Sequence, residues 1–322
     1  MTMKKERSQS RIGIRLAPAI LVGLAVTLLM GVASAQAQWT AVTSCGQVLS
    51  TPGEYHLTRD QVGCTGNGVE ITASGVHFTL AGFTISGGTG ANYGIDVNPA
   101  GASGVVSDVH INGDAVTGFV DGVVIEFALD SRVNAMTVTD NRIWGIYVGS
   151  SQNVRLDTNV VTATGVDGVA IGASHDIIVT DNDISGNVRW GVEISNFSDS
   201  NTISNNILNN NSDAGIAVYN GNNNTIFGNA ANYNASGIVL YNGVTGNRVL
   251  GNTANGNSST GITIVLGGTS NRVSNNTARG NGTADLTDDN PQCDANIWKG
   301  NNFATNVVAG VSGGGPGAGC IN

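Results

Sequence analysis

The chain has 322 residues, only 11% of them charged, and a formal net charge of −9. An acidic chain this poor in Lys and Arg is excluded from binding nucleic acid through its phosphates, and from settling on anionic lipid. So few charges would suit a disordered chain, but the periodic Ile and Val described below predict a packed core.

At the start, Lys4, Lys5, Arg7, Arg11 and Arg15 form a basic head. An apolar run over 16–32 follows, then Ala33-Ser34-Ala35 or Ala35-Gln36-Ala37 as a small-residue cleavage site. Residues 1–37 therefore read as an export signal, placing the mature protein in the periplasm or outside the cell. Without them the net charge moves from −9 to −13, because five cations and Glu6 leave. No second apolar segment predicts membrane insertion after cleavage.

Residues 38–66 read as an N-terminal cap. Four cysteines sit two at each end of the mature chain, which in an exported protein predicts disulfides Cys45–Cys64 and Cys293–Cys320. Each would stabilise its end by roughly 3 kcal/mol in the chain-entropy account.

Residues 67–306 repeat. Asn141, Asn159, Asn182, Asn206, Asn229, Asn252, Asn276 and Asn301 recur at intervals of 18, 23, 24, 23, 23, 24 and 25 residues. A second row runs Asn187, Asn211, Asn234, Asn257, Asn281, Asn306, and a glycine row runs Gly94, Gly122, Gly145, Gly168, Gly191, Gly215, Gly237, Gly261. Each unit reads Gly-apolar-x-apolar, a polar turn, a short apolar strand, then Asn-x-apolar-x-x-Asn. Such a period means a solenoid whose coils complete one another's cores. Three short strands per coil, about ten coils and parallel stacking are predicted, with a length of roughly 50 Å at a strand spacing of about 4.8 Å. The asparagines are expected to bond from coil to coil and to tolerate left-handed bends, and the glycines to serve the same bends. The sequence after 283, ending in a cap and tail over 307–322, is expected to cover the far end.

This pattern resembles the right-handed parallel β-helix repeat proteins of the pectin-lyase-like superfamily, nearest to the NosD-like, carbohydrate-binding and sugar-hydrolase repeats. The fold implied is all-β, a single-stranded right-handed parallel β-helix with disulfide-tied ends. The function implied is binding of a polysaccharide or cell-envelope glycan along the outer face of the first strand of each coil, with lyase, hydrolase or epimerase action as its enzymatic forms. Non-catalytic surface or envelope proteins and NosD-like metallo-enzyme accessory proteins are the other classes the resemblance covers. The Gly-His-Gly, Asn-Thr-Asp and Arg-Ile-Lys of polygalacturonases and the Asp-Pro-His-Glu of alginate epimerases are missing from the sequence.

The strand alternation places side chains two after each glycine, one before it and four after it on one outward face. Tyr93, Asp96, Glu126, Trp144, Tyr147, Trp190, Tyr219 and Tyr241 are the expected sugar-binding residues, since rings stack on sugar faces and carboxylates bond hydroxyls. Asp121, Asp167 and Glu193 are the catalytic candidates, and a hydrolase would set two carboxylates at roughly 5 Å or 6.5–9.5 Å. His175 is a weaker acid candidate. Arg142, Arg155 and Arg189 lie nearby in sequence, but no register assigns them to that face. Asp285, Asp288, Asp289 and Asp294 offer oxygen ligands to one Ca²⁺, although a solvated acidic loop is the simpler reading. No other cofactor and no nucleic-acid partner is expected, and the chain reads as a monomer.

Overall fold

A computed structural model describes residues 38–97, 104–309 and 319–321. The expected leader over 1–37 lies outside the described residues. Almost every element is a strand of two to six residues, and every strand pairing is parallel. Two sheets hold twelve strands each. The front sheet runs from Gln47–Leu49 to Asn306–Val308 and the back sheet from Thr40–Val42 to Ile297–Lys299. Residues 38–66, expected as a cap, supply the first strands of these two sheets and of the third sheet.

A third sheet contains five strands, from Gln61–Cys64 to Val160–Thr162. Beyond it this side shrinks to single bridges: Val160 to Asp183, Ile207, Ala230, Thr253, Thr277 and Asn302 in turn. The third strand expected in every coil is thus reduced in the later ones.

The core is a set of columns. On the front sheet Ile95, Val123, Ile146, Val169, Val192, Ile216, Ile238, Ile262 and Leu286 are successive register partners, all fully buried or nearly so. On the back sheet Phe78, Ile111, Val133, Leu156, Val179, Ile203, Ile226, Val249, Val273 and Trp298 do the same. Each such side chain contributes about 1.5–3 kcal/mol through burial, and none could be buried by its own coil.

The asparagine ladders form. Asn182 donates its backbone N–H (3.0 Å) and its side-chain amide (2.9 Å) to Asn206 Oδ1, and its amide also donates to Leu156 O on the previous coil (3.0 Å). Asn206, Asn229, Asn252 and Asn276 repeat this. The first interval of the sequence row, 18 residues, was the sign of a misplaced member. Asn141 accepts from Phe119 N, and Asn187 accepts from Thr164 N, so Asn141 belongs to the second row; Met136 precedes Asn159 in the first. A third ladder, Asn201, Asn224, Asn247, Asn271 and Asn296, stacks onward from Ile177, and a separate serine row, Ser151, Ser174 and Ser198, runs beside it.

Two bend expectations need correction. The left-handed residue is the one before each first-row asparagine, as at Thr158, Asp181, Asn205 and Asn275, not the ladder asparagine itself. The glycine row has no left-handed members. A Cβ at Gly145 would sit 2.2 Å from Val161 Cγ1 and 2.6 Å from Gly168 O, so close packing, not backbone freedom, demands glycine there.

Both predicted disulfides are present, at Cys45–Cys64 and Cys293–Cys320, near the ends of the array. Two of the acidic residues considered for Ca²⁺, Asp285 and Asp288, bond within the fold. Asp285 accepts from Ala304 N, Thr305 N and the Asn281 amide. Asp288, fully buried, accepts from Trp298 Nε1 (2.7 Å) and the amides of Asn290 and Asn296.

Candidate functional site

The outward row of the front sheet is in register from Glu70 through Asp96, Val124, Tyr147, Ala170, Glu193, Ala217, Val239, Thr263 and Thr287. Tyr219 and Tyr241 are register partners in the row two residues on. The residues before each glycine border it. Tyr93 pairs with Asp121, and Ala214 with Ser236. The alternation of strand side chains therefore gathers the predicted binding and catalytic residues on one face.

Trp144 and Tyr147 stack, with centroids 4.5 Å apart and planes 17° from parallel. Gly149 lets them do so, since a Cβ there would meet the Tyr147 ring at 2.7 Å. A second cluster sits two coils on. Trp190 lies 6.3 Å from Tyr241, which lies 6.1 Å from Tyr219. Trp190 donates Nε1–H to Asp213 (2.9 Å), and the Arg189 guanidinium lies 3.8 Å from the Trp190 ring centroid. Tyr219 is exposed and Trp144, Tyr147, Trp190 and Tyr241 are half-buried. Beneath the rings Val124, Ala170, Ala217 and Val239 are buried.

Carboxylates flank the rings. Asp121 and Asp167 each use one oxygen to accept the backbone N–H of the following coil, at Trp144 (3.0 Å) and Trp190 (3.1 Å). Arg189 donates Nε–H to Asp167 (2.8 Å), closes a second bond to it through Nη2, and reaches Glu193 from Nη2 (3.1 Å). Burial, then the charge of Asp167, pushes Glu193 up to about 7, with Arg189 pulling it back. Toward the N-terminal end, Asn67 donates to Glu70 (3.1 Å) and Asp96 (3.0 Å). Burial, then the charges of Glu70 and Glu126, pushes Asp96 up to about 7. Burial also raises Asp121, against its bond from Trp144 and the charge of Arg142.

Asp167 and Glu193 meet at one guanidinium nitrogen. They are one clamped unit, not a pair opposed across a sugar bond with room for the substrate between. The sequence missed the role of Arg189, whose three bonds bring it onto this face. Arg142 donates to Ala91 O (3.1 Å) beside it, while Arg155 belongs to the back sheet with Asp157 (3.3 Å). His175 bridges Gln152 in a turn, outside the row.

Toward the C-terminal end the face opens into a trough of about 400 Å³, lined by Ser236, Thr260, Thr263, Thr283, Thr287 and Tyr241 among others. The hydroxyl of Thr287 is buried without a hydrogen-bond partner among the described residues.

The family model described as right handed beta helix region matches residues 121–278 and 198–313. The chain belongs to this right-handed β-helix family. No protein of curated function matches it in sequence. Among solved structures, this β-helix is similar to the A-module of the Azotobacter vinelandii mannuronan C-5 epimerase AlgE6. The identity is 17% and the TM-score 0.61, over 84% of this chain and 87% of that one. It is also similar to the A-module of AlgE4 from the same organism, at 15% identity and a TM-score of 0.60 over 85% of each chain. A periplasmic alginate epimerase, AlgG, matches at 15% identity and a TM-score of 0.54 over 84% of this chain and 76% of that one. At these identities the likeness is one of fold.

Proposed function

We propose that this protein is exported and binds a polysaccharide along the outer face of its front sheet. The single observation that carries the reading is the pairing of two accessible aromatic clusters, Trp144–Tyr147 and Trp190–Tyr241–Tyr219, on one face two coils apart. Rings of this kind present flat apolar area at low entropic cost with polar edges. Around them the part-exposed Glu126 and Glu193 offer acceptors to hydroxyls, with Asp96, Asp121 and Asp167 buried beneath, and the threonine trough extends the track. The solved structures of similar fold include enzymes named for acting on mannuronan and alginate, both polysaccharides.

The charge of the face favours a neutral polymer. Glu70, Glu126 and Asp213 outnumber the cations, and Arg189 is already neutralised by Asp167. A polyuronate laid there would meet like charge, which disfavours association.

A second reading rests on Glu193. A carboxyl holding a proton near neutral pH is suited to general-acid or general-base work, so processing of the bound chain would centre on Glu193, with Asp167 and Arg189 as its setting. A glycan array of neutral and uronate polymers tests the binding reading, and binding to none of them contradicts it. Release of reducing ends or unsaturated uronates from the bound polymer tests the second. Glu193→Gln should abolish that release while leaving binding intact; release that survives the substitution contradicts a role for Glu193.

A further inference from the structure

We propose that the back sheet carries a separate site for one zinc ion, formed by His77, Asp108 and His110. His77 and His110 are register partners on the adjacent strands Val76–Thr79 and His110–Asn112. Their rings stack at 4.4 Å, 7° from parallel. Asp108 stands two residues before His110 in a left-handed conformation (φ 57°). Its Oδ1 lies 3.3 Å from His110 Nε2 and 3.7 Å from His77 Nε2. Tetrahedral zinc, with bonds of about 2.0–2.1 Å to nitrogen and oxygen, holds its ligand atoms about 3.3 Å apart. The three ligand atoms here all lie within 4.8 Å of one another, and the two rings must turn out of their stack for their in-plane lone pairs to converge on one ion.

The decisive feature is the other side of His77. Its Nδ1 lies 2.9 Å from Oε1 of Glu54, its register partner on the preceding strand. An ionised carboxylate only accepts, so Nδ1 carries the proton and Nε2 presents a lone pair. That Nε2 is buried, without a hydrogen-bond partner among the described residues, and faces the Asp108 carboxylate. Two acceptors face each other across a gap that a cation fills. A carboxylate behind a histidine, fixing its tautomer, is the arrangement that supports metal-bound imidazoles.

Among the described residues no neighbouring side chain supplies the cation. Arg132, next in the row after His110, is drawn onto Asp157 (2.7 Å). Two imidazoles and one carboxylate suit zinc better than calcium or magnesium, which favour oxygen shells. His77, His110 and Asp108 are all partly exposed, so the ion can enter from solvent and water can complete its shell. The bound ion would tie the coils of Glu54, His77 and His110 together.

The test uses the untagged chain, stripped with a chelator and titrated calorimetrically with zinc chloride, and separately with calcium chloride. One equivalent of zinc should bind and calcium should not. His110→Ala should abolish binding, and Glu54→Gln should weaken it about tenfold. His175→Ala should leave it unchanged. Zinc should raise the Tm of the parent chain and not that of His110→Ala. No saturable zinc binding up to about 1 mM, or unchanged binding in a folded His110→Ala, would overturn the site. So would a His77 Nε2 that still carries a proton at about pH 8 with zinc present, because that proton would then fill the gap.

Discussion

Arg189 grips Asp167 through two nitrogens while the carboxylate it grips is wholly buried. The same guanidinium covers the Trp190 ring and reaches Glu193. One side chain therefore neutralises a buried charge, moderates a second carboxyl and fixes an aromatic platform. Arg189→Met should leave Asp167 charged and held by a backbone N–H alone. The expected loss is about 3 kcal/mol in urea unfolding, with much of it recovered in Arg189→Met/Asp167→Asn. Additive losses in that double-mutant cycle would show that the two residues do not act as a unit.

Asp96 and Glu193 fix the pH response of this face. Both sit at about 7 in the folded chain, above ordinary values of 3.8 and 4.5. Between those limits the folded chain holds protons that the unfolded chain has released. Their contribution to stability is therefore present at the acidic end and lost as pH rises to about 7. Asp285 acts in the opposite sense. Burial pushes it up, but bonds from Ala304, Asn281 and Thr305 outweigh this and hold it below its ordinary value, so its contribution is lost in acid. The Tm should fall from pH 5 to pH 7, and Asp96→Asn with Glu193→Gln should flatten that slope.

Asn206 illustrates what a ladder residue contributes. Its oxygen accepts two bonds from Asn182, and its amide donates to Val179 O and Asn229 Oδ1. Asn206→Ala strands buried groups on both neighbouring coils and should cost about 3 kcal/mol. Ser212, exposed and outside the ladders, should tolerate Ala with a change of less than about 0.5 kcal/mol. Thermal denaturation of the two variants makes the comparison.

Gly145 separates two explanations of the glycine row. Substitution by Ala drives a methyl into Val161 Cγ1 and the Gly168 carbonyl, an overpacking cost of about 1–3 kcal/mol. If Val161→Ala restores stability to Gly145→Ala, sterics set the row. If it does not, the side-chain contact is not what excludes alanine there.

Much of the fold was legible because a parallel solenoid repeats its bends and core columns at a fixed interval. The glycine row and the Ile/Val alternation located the front strands, and the cysteine positions gave both disulfides. The misassignment of Asn141 came from reading residue type without register: Met136 occupies the first-row position in its coil, and Thr164 the second-row position in the next. Alternation also brought Trp144, Tyr147, Trp190 and Glu193 to one face. It could not reveal Arg189, whose long side chain reaches residues a coil away, nor Asp213 on the Trp190 indole. His77, Asp108 and His110 escaped notice for the same reason. They lie in early, irregular coils, where Asp108 meets His77 only through strand stacking.

The central claim is that the aromatic face holds a polysaccharide, and affinity electrophoresis through polymer-containing gels tests it most directly. The parent chain should be retarded by at least one polymer, and Trp144→Ala/Trp190→Ala should lose that retardation. Phe197→Ala/Tyr233→Ala, which removes two exposed rings from outside the front-sheet rows, should keep it. Equal retardation of the folded Trp144→Ala/Trp190→Ala chain, or none for the parent chain in any gel, would contradict the account.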